Sequence, residues 1–297
     1  MPSARRPARR HAARRGAQQA APDRANSRRA PDNSYFSLAT RPLHVLVFLA
    51  PLIVLYEIGA RTLLGDAAGG IESIRAHERL AQALQVLGVA GQVLPWVVLV
   101  TILVVWHAIS RDAWRVRPTV IAGMLGESIL GTLPLLVLAA ALFGSSASDH
   151  AAAMAPTIAN PTSATPPVAP GATADPNAIT PTPDALDSLS IPAKGVLSIG
   201  AGLYEELVFR MLLLAAIHLI LHDFLRIKNA VAGGVAIAAS AVAFALYHDA
   251  TLDASGAVRT AFYAIAGIYF GLVCVLRGFG VVVGVHAAYD FIVLAVL

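Results

Sequence analysis

The sequence predicts an all-α, polytopic membrane protein, a helical bundle of about seven transmembrane helices. Two observations lead to this fold class. Hydrophobic residues make up 57% of the 297 residues and charged residues only 13%, with a mean hydropathy of +0.66. In addition, several apolar runs reach the roughly 20 residues that a helix needs to cross the hydrocarbon core of a bilayer.

Composition divides the chain into four parts. Residues 1–42 are an arginine-rich tail, expected to be disordered and cytoplasmic, and residues 43–143 carry three spans. Residues 144–192 are rich in Ala, Pro, Thr and Ser and should form a disordered linker, because such a segment cannot bury enough apolar surface to fold. Residues 193–297 carry four more spans. The seven predicted spans are approximately 43–60, 81–109, 120–143, 196–221, 230–247, 260–276 and 281–297.

The distribution of basic residues predicts the orientation. The tail carries ten arginines and two aspartates, so the rest of the chain is net negative although the total is +4. Six of the twelve other basic residues lie in loops 110–119, 222–229 and 277–280. This concentration places these loops and the N-terminus in the cytoplasm of a bacterial-type cell, with the spans in its plasma membrane. We expect the tail to contact membrane lipid and not nucleic acid. Three arginines depart from this pattern: Arg61, Arg75 and Arg79.

The fourth predicted span contains an unusual polar group. Glu205, Glu206 and Arg210 lie in an otherwise apolar run, where charged residues are costly unless they pair or face a wet cavity. Glu206 and Arg210 are one turn apart with the acid first, the better order for an ion pair. Glu205 lies about 100° further round the helix and is left free for chemistry. Glu57 and Glu127, in the first and third spans, either pair within the bundle or lie in a cavity.

Two further polar groups follow at helical spacing. The fifth span ends with Phe244 and His248, and the seventh contains His286 and Asp290, again four residues apart. Acids and histidines of this kind can activate water, stabilise developing charge and protonate a leaving amine, as peptide hydrolysis requires. Cys274 is the only cysteine, so an intrachain disulfide or a cysteine-based metal site is excluded.

The three motifs, EExxxR, FxxxH and HxxxN/D, resemble in that order the CPBP family of intramembrane proteases (CAAX protease and bacteriocin-processing, or Abi), which includes the type II CAAX prenyl endopeptidase. The resemblance covers about residues 193–297. It implies that the last four spans form a protease-like core, in which Glu205 is the general base for a water and His248 assists at that water. Glu206 and Arg210 would hold the site together.

The resemblance also places His286 and the residue four positions later near the developing oxyanion. The prenyl proteases have asparagine at that later position, whereas this chain has Asp290. An asparagine amide can donate to an oxyanion, but an ionised aspartate only accepts hydrogen bonds. We therefore expect Asp290 to orient His286 and to stabilise its charged form.

Helix geometry sets one condition on this site. Glu205 lies about 14 Å below the outer end of its predicted span at 1.5 Å per residue, whereas His248 ends its own span near the outer surface. The two side chains can meet only if the fifth helix is tilted or runs past His248.

The favoured function is therefore an intramembrane endopeptidase that hydrolyses a peptide or membrane-protein substrate with a glutamate-activated water, without metal or cofactor. Two other classes stay open: a non-catalytic membrane scaffold that retains the bundle, and a transporter, which the lack of an evident inverted repeat disfavours. A metal-dependent form of the same protease is also conceivable. Its ligands would be Glu205, Glu206, His248 and His286.

Overall fold

The computed structural model describes residues 33–64, 73–74, 94–144, 158–159, 189–248 and 254–296. Helices dominate these residues, which confirms the all-α fold class. They are α1 (Tyr35–Ala39), α2 (Pro42–Leu63), α3 (Leu94–Ser110), α4 (Pro118–Leu130), α5 (Leu133–Phe143), α6 (Ile191–Glu206), α7 (Ala215–Leu219), α8 (Asn229–His248), α9 (Ala254–Arg277) and α10 (Phe279–Ala295). Two π-helical segments complete one long helical rod from Ile191 to Phe224. The segment Leu207–Leu214 joins α6 to α7, and the segment Ile220–Phe224 follows α7.

The described helices correspond to the seven predicted spans. Five helical segments, one of which is α4 and α5 taken together, are long and apolar enough to cross a membrane. Two shorter apolar helices, Trp96–Ser110 and Phe279–Ala295, match the second and seventh spans. Large apolar side chains such as Ile109, Leu130 and Val137 are more than two-thirds exposed on these helices, as expected where lipid replaces water around the bundle. The chain is an integral membrane protein. Residues 81–93 of the predicted second span lie outside the described residues.

The third predicted span is divided in two. Helix α4 ends at Leu130 and α5 begins at Leu133, with Gly131 and Thr132 between them. Pro134 stands at the start of α5, where its missing N–H group costs nothing because the first N–H groups of a helix have no partner within it. The proline thus explains why the two helices are separate elements within one apolar segment.

The N-terminal tail was predicted to extend to residue 42, and its last part is instead folded. Helix α1 begins after Ser34, whose hydroxyl accepts from the N–H of Ser37. The Tyr35 hydroxyl donates to Oε2 of Glu127 at 2.6 Å, and Arg277 also contacts that carboxylate, with its Nη2 at 2.7 Å from Oε2. Burial, with the hydrogen bond to Glu127, raises the pKa of Tyr35 to about 12. This cluster connects α1 to α4 and α9. Glu127 therefore pairs within the bundle.

Glu57 also has partners within the bundle. Its carboxylate lies 2.9 Å from Nη2 of Arg61, one turn further along α2, and accepts a hydrogen bond from the Tyr204 hydroxyl at 3.0 Å. The pair neutralises Arg61, one of the outer-loop arginines that departed from the predicted charge pattern. It also links α2 to the residue next to Glu205.

A two-residue antiparallel pair of strands, β1 (Ser73–Ile74) and β2 (Ile158–Ala159), is the exception to helical structure among the described residues. The second strand falls within the linker that was predicted to be disordered from 144 to 192, and α6 begins at Ile191, inside its end. The linker as a whole stays a prediction. The other residues from 145 to 188 lie outside the described part of the chain.

Close helix packing in the C-terminal part depends on glycine. A Cβ at Gly202 of α6 would lie 2.8 Å from the backbone oxygen of Val283 and 2.9 Å from the side chain of Ala287, both on α10. A Cβ at Gly267 of α9 would lie 2.8 Å from Cα of Ala241 on α8. Only glycine permits backbones to approach so closely, and both contacts bring site-bearing helices together.

Candidate active site

Two adjacent acids end α6 at the centre of the bundle. Glu205 and Glu206 are fully buried, and the π-helical segment that carries Arg210 begins directly after them. Irregular helical turns of this type recur at functional sites. The close approach of α6 and α10 at Gly202 brings both acids to the face of α10 that contains His286.

Glu206 contacts two nitrogen-bearing side chains. Its Oε1 lies 2.9 Å from Nη1 of Arg210 and 2.7 Å from Nδ1 of His286, and all three side chains are nearly inaccessible to solvent. The predicted ion pair with Arg210 is thus present, and the contact with His286 connects it to α10. A carboxylate accepts only, so the short contact places a proton on Nδ1 of His286.

Arg210 is held by aromatic rings as well as by Glu206. Its guanidinium carbon lies 4.4 Å from the centroid of Phe244 and 5.2 Å from that of Phe270, distances typical of cation–π contacts. Its Nη2 donates to the backbone oxygen of Gly267 at 3.3 Å. The arginine therefore joins the π-helical segment to α8 and α9.

Glu205 lies between two histidines. Its Oε2 is 3.2 Å from Nε2 of His248 and 3.8 Å from Nε2 of His286, and neither of its oxygens accepts a well-directed hydrogen bond from the described residues. Nδ1 of His248 contacts the carbonyl oxygen of Phe244 at 2.9 Å. Since a carbonyl only accepts, that nitrogen carries a proton, and a favourable Glu205–His248 contact then requires one more proton shared between the two groups.

The difference in depth between Glu205 and His248 that the sequence predicts is resolved by the offset of two antiparallel helices, which the sequence reasoning did not consider. Glu205 is 14 residues from the start of α6, about 21 Å at 1.5 Å per residue, whereas His248 ends α8. A hydrogen bond from the Ser240 hydroxyl to the backbone oxygen of Phe209, 2.7 Å long, fixes the register. The end of α8 therefore lies level with the middle of the rod formed by α6 and its extension.

Asp290 makes a longer contact. Its Oδ2 is 3.5 Å from Nε2 of His286, on the side of the ring opposite the nitrogen that meets Glu206. A cavity of about 20 Å³ adjoins this contact, which is enough space for roughly one water molecule. Its lining residues come from α5, α8, α9 and α10 and are Leu135, Phe244, His248, Phe262, Tyr263, Ala266, Phe270, His286, Tyr289 and Asp290.

The sequence reasoning missed three aromatic side chains of this cavity. Phe270 stacks on the ring of His286 at 4.6 Å, and Tyr263 stacks on His248 at 4.2 Å. Tyr289 is buried, and its hydroxyl has no hydrogen-bond partner among the described residues. Only Tyr289 carried a signal in the sequence, because it lies three residues after His286 and so on a neighbouring face of the same helix.

Comparison with known families gives a match over the part of the chain that carries this cluster. Residues 188–292 match the family described as type II CAAX prenyl endopeptidase Rce1-like. The predicted family resemblance is confirmed. The similarity covers about a third of the chain. Comparison of the chain with curated proteins and with solved structures gives no match.

The matched residues include all six residues singled out in the sequence, and the structure brings them into one cluster. They are Glu205, Glu206, Arg210, His248, His286 and Asp290. Within the described part of the chain, no group of three or more His, Cys, Asp or Glu side chains is arranged to hold a metal ion. In this cluster, Oε1 of Glu206 contacts both Arg210 and His286.

Proposed function

We propose that this protein is an intramembrane endopeptidase in which Glu205 activates a water molecule. The observation that carries the proposal is the position of Glu205, a fully buried acid whose oxygens accept no well-directed hydrogen bond from the described residues, beside His248, which lines a cavity of one-water size. A structural acid at such depth would be expected to have its oxygens satisfied. An acid kept available next to a water site is what a general base requires.

The charges of the cluster suggest how it is protonated before reaction. Glu205, Glu206 and Asp290 contribute three negative charges, against one positive charge from Arg210. Burial strongly disfavours uncompensated charge. We assign one proton to Nε2 of His286 and one to the Glu205–His248 pair, which makes the cluster neutral. His286 is then an imidazolium, held by Glu206 at Nδ1 and by Asp290 at Nε2.

In the proposed reaction, the water gives a proton to Glu205 while its oxygen attacks the carbonyl carbon of the peptide bond. The resulting oxyanion is stabilised by the His286 imidazolium and by the hydroxyl of Tyr289, which has no hydrogen-bond partner in the part of the chain that the structure describes. The C–N bond then breaks as the leaving amine takes the proton from Glu205, and His248 keeps that carboxyl oriented. Glu206 and Arg210 hold His286 in place.

Comparative proteomics tests this proposal directly. Cells that make the wild-type protein are compared with cells that make Glu205→Gln, and Asp223→Asn serves as the matched control because Asp223 is an exposed acid on the π-helical segment at the far end of the rod. A cleavage product present with the wild type and with Asp223→Asn, and lost with Glu205→Gln, supports proteolysis. If Glu205→Gln leaves every product in place at equal expression, the protein is a non-catalytic relative.

The substrate class is also part of the proposal. The matched family is described as type II CAAX prenyl endopeptidase Rce1-like, and from it we carry over hydrolysis of a peptide bond near the membrane surface. Once a product is found, synthetic peptides that span the cleavage site, with and without a prenyl group on a cysteine where the substrate has one, decide whether the lipid is required.

A further inference from the structure

A second cavity of the bundle lies away from the catalytic cluster. It is a groove of about 680 Å³, within the size range of small-molecule sites. Its walls are the apolar side chains of α2, α4, α6 and α10, including Val47, Pro51, Leu125 and Phe291. The one hydroxyl in the wall, of Ser128, already donates to the backbone oxygen of Met124 at 2.8 Å. The groove therefore offers only hydrocarbon-like contact along its length.

Helix α10 separates this groove from the active site. Gly284 and Ala288, four residues apart, line the groove, whereas His286 and Asp290 line the water-sized cavity. The two pairs are offset by two residues, which places them about 200° apart around the helix. An occupant of the groove consequently lies against the back of the catalytic helix and not in the catalytic cavity.

One end of the groove has a basic rim. Val116 and Pro118 line it there, and the neighbouring Arg115 and Arg117 are exposed. Asp112, the acid of the same loop, pairs with Arg41 at 3.8 Å, so neither rim arginine has a carboxylate partner in the part of the chain that the structure describes. Trp114 is 70% exposed beside them, a position typical of tryptophan at a membrane–water interface.

We propose that this groove binds one anionic phospholipid, with an acyl chain along the apolar wall and the phosphate between Arg115 and Arg117. The two features complement the two parts of such a lipid, and basic pockets between membrane helices are known to bind anionic headgroups. The arginine-rich residues 1–32 are a poor occupant because they carry the same charge as the rim. A zwitterionic lipid such as phosphatidylcholine carries the same phosphate, but its choline cation offsets the negative charge that the two arginines would bind.

Native mass spectrometry of the delipidated, full-length protein in detergent tests the site, with phosphatidylglycerol and phosphatidylcholine of identical chains as probes. The double variant Arg115→Gln, Arg117→Gln should bind phosphatidylglycerol roughly thirtyfold more weakly, at about fivefold for each arginine near an anionic surface. The matched control, Arg226→Gln with Lys228→Gln, removes two exposed basic residues from another loop and should bind like the wild type.

A third variant tests the apolar wall. Ala122→Trp, at an exposed position of the groove, should abolish binding of phosphatidylglycerol while leaving both arginines in place, and glycerol phosphate alone should not bind. Each of three outcomes would overturn the proposal. The wild type could bind the two lipids equally, the double variant and its control could lose binding equally, or Ala122→Trp could bind phosphatidylglycerol as well as the wild type does. None of these measurements depends on whether the protein is a protease.

Discussion

Oε1 of Glu206 lies 2.7 Å from Nδ1 of His286, across 80 residues of sequence. The same oxygen meets Nη1 of Arg210 at 2.9 Å, so one carboxylate oxygen links the buried ion pair of α6 to the histidine of α10. Asp290, which the sequence reasoning favoured as the acid that orients His286, lies further away at 3.5 Å. Glu206 is therefore the stronger candidate for that orienting role.

Glu206→Gln should destabilise the protein by about 3–5 kcal/mol, because Arg210 would be left as an unpaired buried charge. The double variant Glu206→Gln, Arg210→Met should recover most of this loss and yet stay inactive, since His286 lacks its carboxylate. Thermal unfolding in detergent measures the first effect and peptide turnover the second. If the double variant does not regain stability, the ion pair with Arg210 is not the interaction by which Glu206 stabilises the protein.

Asp290→Ala should strongly reduce the rate if Asp290 supports the charge of His286. Asp290→Asn should also be slow, because an amide restores hydrogen bonding but not the negative charge beside an imidazolium. Turnover of one reporter peptide by both variants across pH is the measurement. Activity of Asp290→Asn close to that of the wild type at neutral pH would instead assign this position to the oxyanion, as in the prenyl proteases.

Tyr289→Phe should lower kcat by about 10²-fold or more, the usual cost of losing one oxyanion donor, without loss of stability, because the Tyr289 hydroxyl has no hydrogen bond among the described residues. Tyr269→Phe is the matched control. Its hydroxyl donates to the backbone oxygen of Gly131 at 2.7 Å, so its removal should cost about 1 kcal/mol of stability and leave kcat unchanged. A normal kcat for Tyr289→Phe would remove this residue from the mechanism.

The sequence sufficed for the parts of the structure that follow from local periodicity. The apolar runs predicted the spans, and i, i+4 spacing predicted the Glu206–Arg210 pair. The contact between Glu206 and His286 could not be predicted, because it depends on how closely two helices approach at Gly202. The folded segment Tyr35–Ala39 was missed for a similar reason: a five-residue helix has little intrinsic stability, and the contact of Tyr35 with Glu127 is long-range.

Orientation is a separate prediction from the arginine distribution. A reporter fused after residue 42 should be cytoplasmic, and one inserted in the linker between 144 and 192 should lie outside. Protease protection or cysteine labelling in intact cells reads out both positions, with Arg111→Gln, Arg115→Gln as a variant that weakens the charge bias of one inner loop. A cytoplasmic linker would reverse the orientation and place the basic rim of the groove on the outer surface.

The role of Glu205 as the base is tested by kcat of purified Glu205→Gln on the reporter peptide, measured beside its thermal unfolding. We expect a loss of about 10²–10⁴-fold in kcat with stability close to that of the wild type, since the Glu205 oxygens accept no well-directed hydrogen bond from the described residues. Turnover within tenfold of the wild type, by a variant that is equally stable, would contradict it.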